Sequence, residues 1–165
     1  MITCTLMDKA DKNRWLPFLF DLYYQNMHRI APSSVPYEQE RSVWLSEVSP
    51  AVDKAPRQIL LGLENDHLIG YIQYYTRDNL LMIEEFQISP SYQNTLLFHR
   101  MCRYLACLFP KNLERIEAYA DIRNSNSRNL MKKLGFQEIT ESSDSEFIHL
   151  RADFANIKNR FIKNK

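Results

Sequence analysis

With 165 residues, 21 lysines plus arginines against 20 aspartates plus glutamates, and a formal net charge of +1, the chain lacks the concentrated positive field of a nucleic-acid binder. Its hydrophobic fraction of 45% excludes a disordered protein, and its length suits one domain over residues 1–165. The sequence shows neither a charged-then-apolar leader pattern nor an apolar run long enough for a bilayer, so a cytoplasmic protein with no membrane partner is expected.

Residues 1–7 read as a short strand, ITCTL. Asn13 is a candidate helix cap ahead of Trp15, Leu16, Leu19, Phe20, Tyr23 and Met27, which recur at helical spacing. Pro17 fits that helix in its first turn. HRIAPSSVP breaks the chain, and a second helix opens at Pro36 with Tyr37, Trp44, Leu45 and Val48 inward. Residues 57–89 then form a β-meander: RQILLGLEN and HLIGYIQYY meet at Asn65-Asp66, a tight hairpin turn, and LLMIEEFQIS follows a second turn. Leu97, Met101, Leu105 and Leu108 mark one face of a helix that ends before Pro110. ERIEAYAD is a strand, and NSNSRNLMKKLGF a short helix with Asn124 near its cap and Gly135 just past its end. FQEIT and EFIHLRA close the pattern as strands. The basic tail from about 154 reads as a basic helix or a fraying end, in either case a solvated or dimer-packing segment without a ligand role. This order predicts an α+β fold, a mixed sheet with helices on both faces.

The four histidines show no metal-ligand spacing, so no metal is expected. Cys4, Cys102 and Cys107 form no CxxC pair and read as buried small hydrophobes in a reducing compartment, and none stands beside a histidine and an acid as a nucleophile would.

Two stretches stand in a suggestive relation. IEEFQISPSYQN ends a strand and starts a helix; after one further strand, NSNSRNLMKKLGF starts another. In order and content this resembles the GNAT superfamily of acyl-CoA-dependent N-acyltransferases. The second stretch carries that family's pattern on Asn124, Ser127, Leu130, Lys133, Gly135 and Phe136, and the first carries its lead-in on Phe86, Ile88, Pro90, Tyr92 and Gln93. The resemblance implies a mixed, mostly antiparallel central sheet flanked by helices. It implies acetyl-CoA as acyl donor and a small-molecule or protein amine as acceptor, with no metal. Phe86, Gln87 and Ile88 would pair with the pantetheine arm and polarise the acyl carbonyl. Gln93, Asn94, Thr95, Leu96, Leu97 and Phe98 would cradle the pyrophosphate, with Asn124 and Met131 as further cofactor contacts. His99, Arg100 and Arg103 stand just behind that loop. Several family members pair through their late strands, which makes a homodimer an option.

An amine must lose a proton to attack a thioester, and a carboxylate can accept it. Glu84 and Glu85 lie on the strand that carries the acyl group in this family; Glu84 matches a position where members often carry an acid and is favoured. Neighbouring strand residues face opposite sides, so one of the two reaches the site unless a bulge intervenes. Tyr23, Tyr24, Met27, His28, Tyr37 and Tyr74 are candidate walls of the acceptor pocket.

Two features depart from the family pattern. Its pyrophosphate loop is glycine-rich, whereas Asn94, Leu96 and Phe98 stand in those places here. Backbone N–H groups at a helix start hold an anion whatever the side chain, so the substitution adds bulk and removes no donor. Leu96 can turn into the core; Phe98 is the harder case, because a phenyl ring there narrows the groove. Met131 replaces a tyrosine that can protonate the departing thiolate, and methionine has no proton to give; Tyr92 and Tyr119 are the substitutes on offer. These departures motivate the alternative reading, a catalytically inactive fold that binds a ligand or partner.

Overall fold

The computed structural model describes residues 1–54, 56–93, 95–109, 113–139 and 145–162. Among them, seven strands form one sheet: β1 (Ile2–Leu6), β2 (Gln58–Glu64), β3 (His67–Arg77), β4 (Leu80–Ile88), β5 (Arg115–Asp121), β6 (Gln137–Ile139) and β7 (Phe147–Asp153). Their spatial order is β1-β2-β3-β4-β5-β7-β6. The β4–β5 pair is parallel and the other pairs are antiparallel. Five α-helices pack on it: α1 (Lys12–Ile30), α2 (Tyr37–Asp53), α3 (Leu96–Leu108), α4 (Ser125–Leu134) and α5 (Phe154–Ile162). The expected α+β fold with a mixed sheet is what the chain adopts.

Strand alternation divides the apolar residues between two cores. Ile59, Leu61, Leu63 and Tyr71 face α1 and α2, where Leu16, Leu19, Phe20, Trp44 and Val52 meet them. Leu60, Ile72, Leu81, Ile83, Ile116 and Leu150 face the other way, onto Leu97, Met101 and Leu105 of α3. The β2–β3 hairpin turns on Asn65 and Asp66 at φ +48° and +63°, the left-handed pair a two-residue hairpin demands.

Three expectations change in detail. Helix α1 starts at Lys12, with Asp11 in the N-cap position instead of Asn13 and without a side-chain capping bond, which puts Pro17 past the first turn. The carbonyl this deprives of a donor belongs to exposed Asn13, where water can serve it. Cys107 is exposed, while Cys4 and Cys102 are half-buried. The largest change is the tail. Phe154, Ile157 and Phe161 recur at i, i+3 and i+7, and all three are buried in the α3-side core. Their burial contributes roughly 5–9 kcal/mol as an upper estimate, so α5 is part of the fold. The polar residues between them, Asn156, Lys158, Asn159 and Arg160, conceal that stripe in the sequence.

Candidate active site

The parallel β4–β5 ladder runs from Leu80 opposite Arg115 to Ile83 opposite Ala118 and stops. Beyond it β5 continues against β7 alone, pairing Tyr119 with His149 and Asp121 with Phe147. Residues 84–88 of β4 continue against β3. The two strands therefore part like a wedge, and the β5-side edge of β4 has no strand partner there among the described residues. An extended ligand can pair with such an edge.

A bulge sits at the root of this wedge. Gln73 pairs with Glu85 and Tyr74 with Ile83, so Glu84 is the extra residue. The phase of β4 shifts across it. Leu81 and Ile83 face α3, and so do Phe86 and Ile88. Glu85 and Gln87 face α1, with Glu84 beside them.

The two carboxylates have different neighbours. Both Glu84 oxygens accept from the Arg57 guanidinium, and Gln73 Nε2 donates to one of them at 3.0 Å. Arg57 is fixed in turn by the Ala51 carbonyl at 3.3 Å and by the face of Tyr75. Glu85 has no such cation. It accepts a hydrogen bond from Tyr71 Oη and one from Gln87 Nε2 at 3.3 Å. Burial raises its carboxyl to about 7, against the pull of those two donors. Gln87 is held by Asn26 of α1, whose Nδ2 donates to Gln87 Oε1 and to the Ile88 carbonyl, each at 2.9 Å. The Tyr23 phenol is also raised, first by burial and then by the Glu85 charge, which places Tyr23 within electrostatic reach.

On the α3 face, Thr95 caps α3: its Oγ1 accepts from Leu97 N at 3.2 Å and donates to the Tyr92 carbonyl at 2.6 Å. Gln93 Nε2 donates to the Ile88 carbonyl at 3.2 Å, so the loop is fastened to the end of β4. Leu96 points to solvent, 71% exposed, and does not enter the core; Leu97 fills that place at 0%. Asn94 lies outside the described residues. The Phe98 ring turns toward the sheet and packs on Phe86 at a centroid distance of 5.2 Å. Asn124 caps α4, accepting from Ser127 N at 3.0 Å, and Met131, about two turns further along, packs against the α3-side core.

A model of the acetyltransferase (GNAT) family matches residues 17–136, more than half of the chain. The chain belongs to the GNAT family. Solved GNAT-fold structures share its architecture at low identity. The PaiA N-acetyltransferase of Thermoplasma acidophilum, in complex with coenzyme A, superposes with a TM-score of 0.72 at 15% identity, covering 93% of this chain and 99% of that one. YncA of Salmonella typhimurium, with acetyl-CoA, gives 0.61 at 15%, covering 93% and 94%. A variant of the SpeG spermidine N-acetyltransferase of Vibrio cholerae gives 0.62 at 16%, covering 96% and 97%. No curated protein sequence matches the chain.

Within this GNAT fold the candidate acceptor residues separate. Tyr24 lies 4.1 Å from His28 and 4.9 Å from Tyr37 between ring centroids, and Phe20 touches Tyr23, Tyr24 and Tyr37. These form one aromatic cluster where α1 meets α2, on the Glu85 face. Met27, half-buried, is on the same helix. Tyr74 is elsewhere: it faces α3 and packs edge-on against Phe109 at 5.5 Å. The general-acid substitutes also separate. Tyr92 donates to Glu64, which turns its hydroxyl toward β2. Tyr119 is 48% exposed on β5 just beyond the parting of the strands, stacked on His149 at 4.7 Å.

Sequence reasoning missed several partners. Tyr71, Gln73 and Asn26 surround the carboxylates, and period-two alternation along β3 was the available signal for the first two. It also missed buried Glu117, which binds His149 Nε2 at 2.8 Å and Arg151 Nε at 2.6 Å on the Tyr119 face. Burial alone would raise the Glu117 carboxyl, but those two partners hold it below its ordinary range.

Proposed function

We propose that this GNAT protein transfers an acetyl group from acetyl-CoA to a primary amine, with Glu85 as general base. One observation carries the reading: a carboxylate raised to about 7 stands at the opening between β4 and β5. A base poised near operating pH is what amine deprotonation needs. Glu84, the acid favoured by sequence, is neutralised by Arg57 and has a different role, holding the bulge that turns Glu85 toward α1.

Acetyl-CoA supplies the activated acyl group. Phe86, Gln87 and Ile88 would hold its arm on the unpaired edge of β4. Gln93, Thr95, Leu96, Leu97 and Phe98 would present the α3 start to its phosphates, flanked by Asn124 and Met131. The edge and the capped helix start fit such a ligand; the ring of Phe98 narrows the groove between them. The amine enters on the opposite face, past Tyr23, Tyr24, His28 and Tyr37. Glu85 takes its proton, and Asn26 steadies Glu85 through Gln87. The acceptor is a small molecule or a protein amine. Among the described residues no helix is long and apolar enough to cross a membrane, and the reading places the protein in the cytoplasm.

The narrowed groove favours one second reading, a GNAT fold that binds a ligand without catalysis. Thiol release from acetyl-CoA, measured with a panel of aliphatic amines, polyamines and lysine peptides, separates the two. The expected result is turnover with at least one class, a rate rising with pH to a plateau above about 7, and a loss of roughly 10²–10⁴-fold in Glu85→Gln with acetyl-CoA affinity retained. Binding of acetyl-CoA with no thiol release from any amine would establish the second reading instead.

A further inference from the structure

We propose that α5 competes with acyl-CoA for its groove, and that cofactor binding displaces the last turn of α5. This rests on the cofactor reading above. Three residues assigned there to the cofactor, Phe86 of β4, Phe98 of α3 and Met131 of α4, line one apolar cavity of about 50 Å³. Phe154, Ile157 and Phe161 of α5 line the same cavity, whose floor is apolar side chains of the sheet and of α3 and α4.

Phe161 makes the closure. Its ring centroid lies 6.1 Å from Phe98 and 5.2 Å from His99, both in the first turn of α3. Phe98 in turn lies 5.2 Å from Phe86. A row of phenyl rings thus bridges from the edge of β4, across the start of α3, to α5. Two polar clips hold the helix over the gap. Lys158 Nζ donates to the Phe109 carbonyl at 2.8 Å, and Arg160 Nη1 to the Lys133 carbonyl at 2.9 Å. Those carbonyls lie at the C-terminal ends of α3 and α4, where helices carry unpaired acceptors and partial negative charge. So α5 is fastened to both walls of the groove it covers.

The space that remains is too small for a pantetheine arm laid from the edge of β4 to the start of α3, and the side chains lining it are apolar. Arm and Phe161 therefore exclude one another. Phe161 is one residue from the end of α5, and a terminal turn opens at lower free energy than a helix interior. Its release leaves Phe154 and Ile157 seated. A cofactor that must first displace this turn binds more weakly by the ratio of closed to open forms. The same contact keeps the apolar groove covered when no cofactor is bound.

Hydrogen exchange of the full-length protein, with and without saturating acetyl-CoA, tests this directly. The expected pattern is faster exchange over residues 158–162 when acetyl-CoA is present, together with slower exchange at residues 86–88 and 96–99. In parallel, Phe161→Ala is expected to bind acetyl-CoA about tenfold or more tightly than the wild type by calorimetry. Protection at 86–88 and 96–99 with unchanged or slower exchange in α5 would overturn the displacement and leave the cofactor reading intact. No protection anywhere, and no heat with either protein, would overturn both.

Discussion

A carboxyl raised to about 7 keeps its proton in the folded state over a range where the unfolded chain has already lost it. For Glu85 the sign follows from the direction of that shift. Below about pH 4.5, the ordinary glutamate value, both states are protonated and the group costs nothing. Between there and about 7 the unfolded state releases its proton first, so stability falls as pH rises. Above about 7 the whole cost is present, on the order of 3 kcal/mol at most. Gln87 and Tyr71 donate to Glu85 whether it is ionised or replaced by an amide. Glu85→Gln is therefore expected to stabilise the fold at pH 8.5 by about 1–3 kcal/mol and to change it by less than about 1 kcal/mol at pH 5. Urea denaturation at the two pH values measures this. A gain of equal size at both would mean that Glu85 does not titrate in this window, and its role as base would go with it. With Glu85 as the proposed base, activity and stability would pull in opposite directions at this one residue, as expected where burial tunes a catalytic group.

At the scale of elements, the site depends on how β4 is carried. Gly70 of β3 pairs with Ile88, and a Cβ there would meet the Gln87 carbonyl at 3.0 Å, Met101 Sδ at 3.3 Å and Ile88 Cγ1 at 3.4 Å. The first of these is backbone and cannot swing aside. Gly70→Ala is expected to cost about 1–3 kcal/mol and to push β4 away from β3 just where Asn26 grips the Ile88 carbonyl. Acetyl-CoA affinity should fall with it. A variant of unchanged affinity and unchanged thermal midpoint would show that the contact relaxes at no cost. None of this could be read from the sequence, because a glycine in a strand says nothing of what lies above it. Strand and helix order was legible, since alternation and the 3.6-residue period are local signals and Asn124 and Gly135 cap α4 as their chemistry demands. The bulge at Glu84 was not: it is a mismatch of register between two strands and leaves no mark on either one. It decides which of two adjacent acids meets a cation and which stays unpaired by one. The role of α5 was hidden for a different reason, because its apolar stripe of Phe154, Ile157 and Phe161 is interleaved with basic residues whose partners are distant helix ends.

In the molecule as a whole, one sheet separates two apolar layers that share no helix. Both tryptophans of the chain, Trp15 and Trp44, lie buried in the α1–α2 layer. Their fluorescence reports on that layer, whereas far-UV dichroism reports on all the helices and strands. Phe161 is in the opposite layer, 4% exposed, and its truncation removes a ring from the α3 side without touching either tryptophan. If the sheet couples the layers into one cooperative unit, Phe161→Ala destabilises both by the same amount, about 3–5 kcal/mol for a buried phenyl ring. Fluorescence and dichroism would then shift to the same lower urea midpoint. Coupling is the expected outcome, because β2, β3 and β4 contribute side chains to both faces, and neither layer can open without stripping one side of the same strands. Wild-type acetyl-CoA binding adds a second handle. If the cofactor competes with Phe161 for its place, the stabilisation it gives the wild type is reduced by the cost of displacing the ring, and the variant, which has already lost that ring, gains more from the same ligand concentration. Its midpoint would recover part of the difference on saturation, in both probes together. A dichroism midpoint that falls while the fluorescence midpoint stays fixed would mean that the α3–α5 layer opens independently of the sheet, and that the groove is uncovered by unfolding of a whole layer instead of by release of one turn.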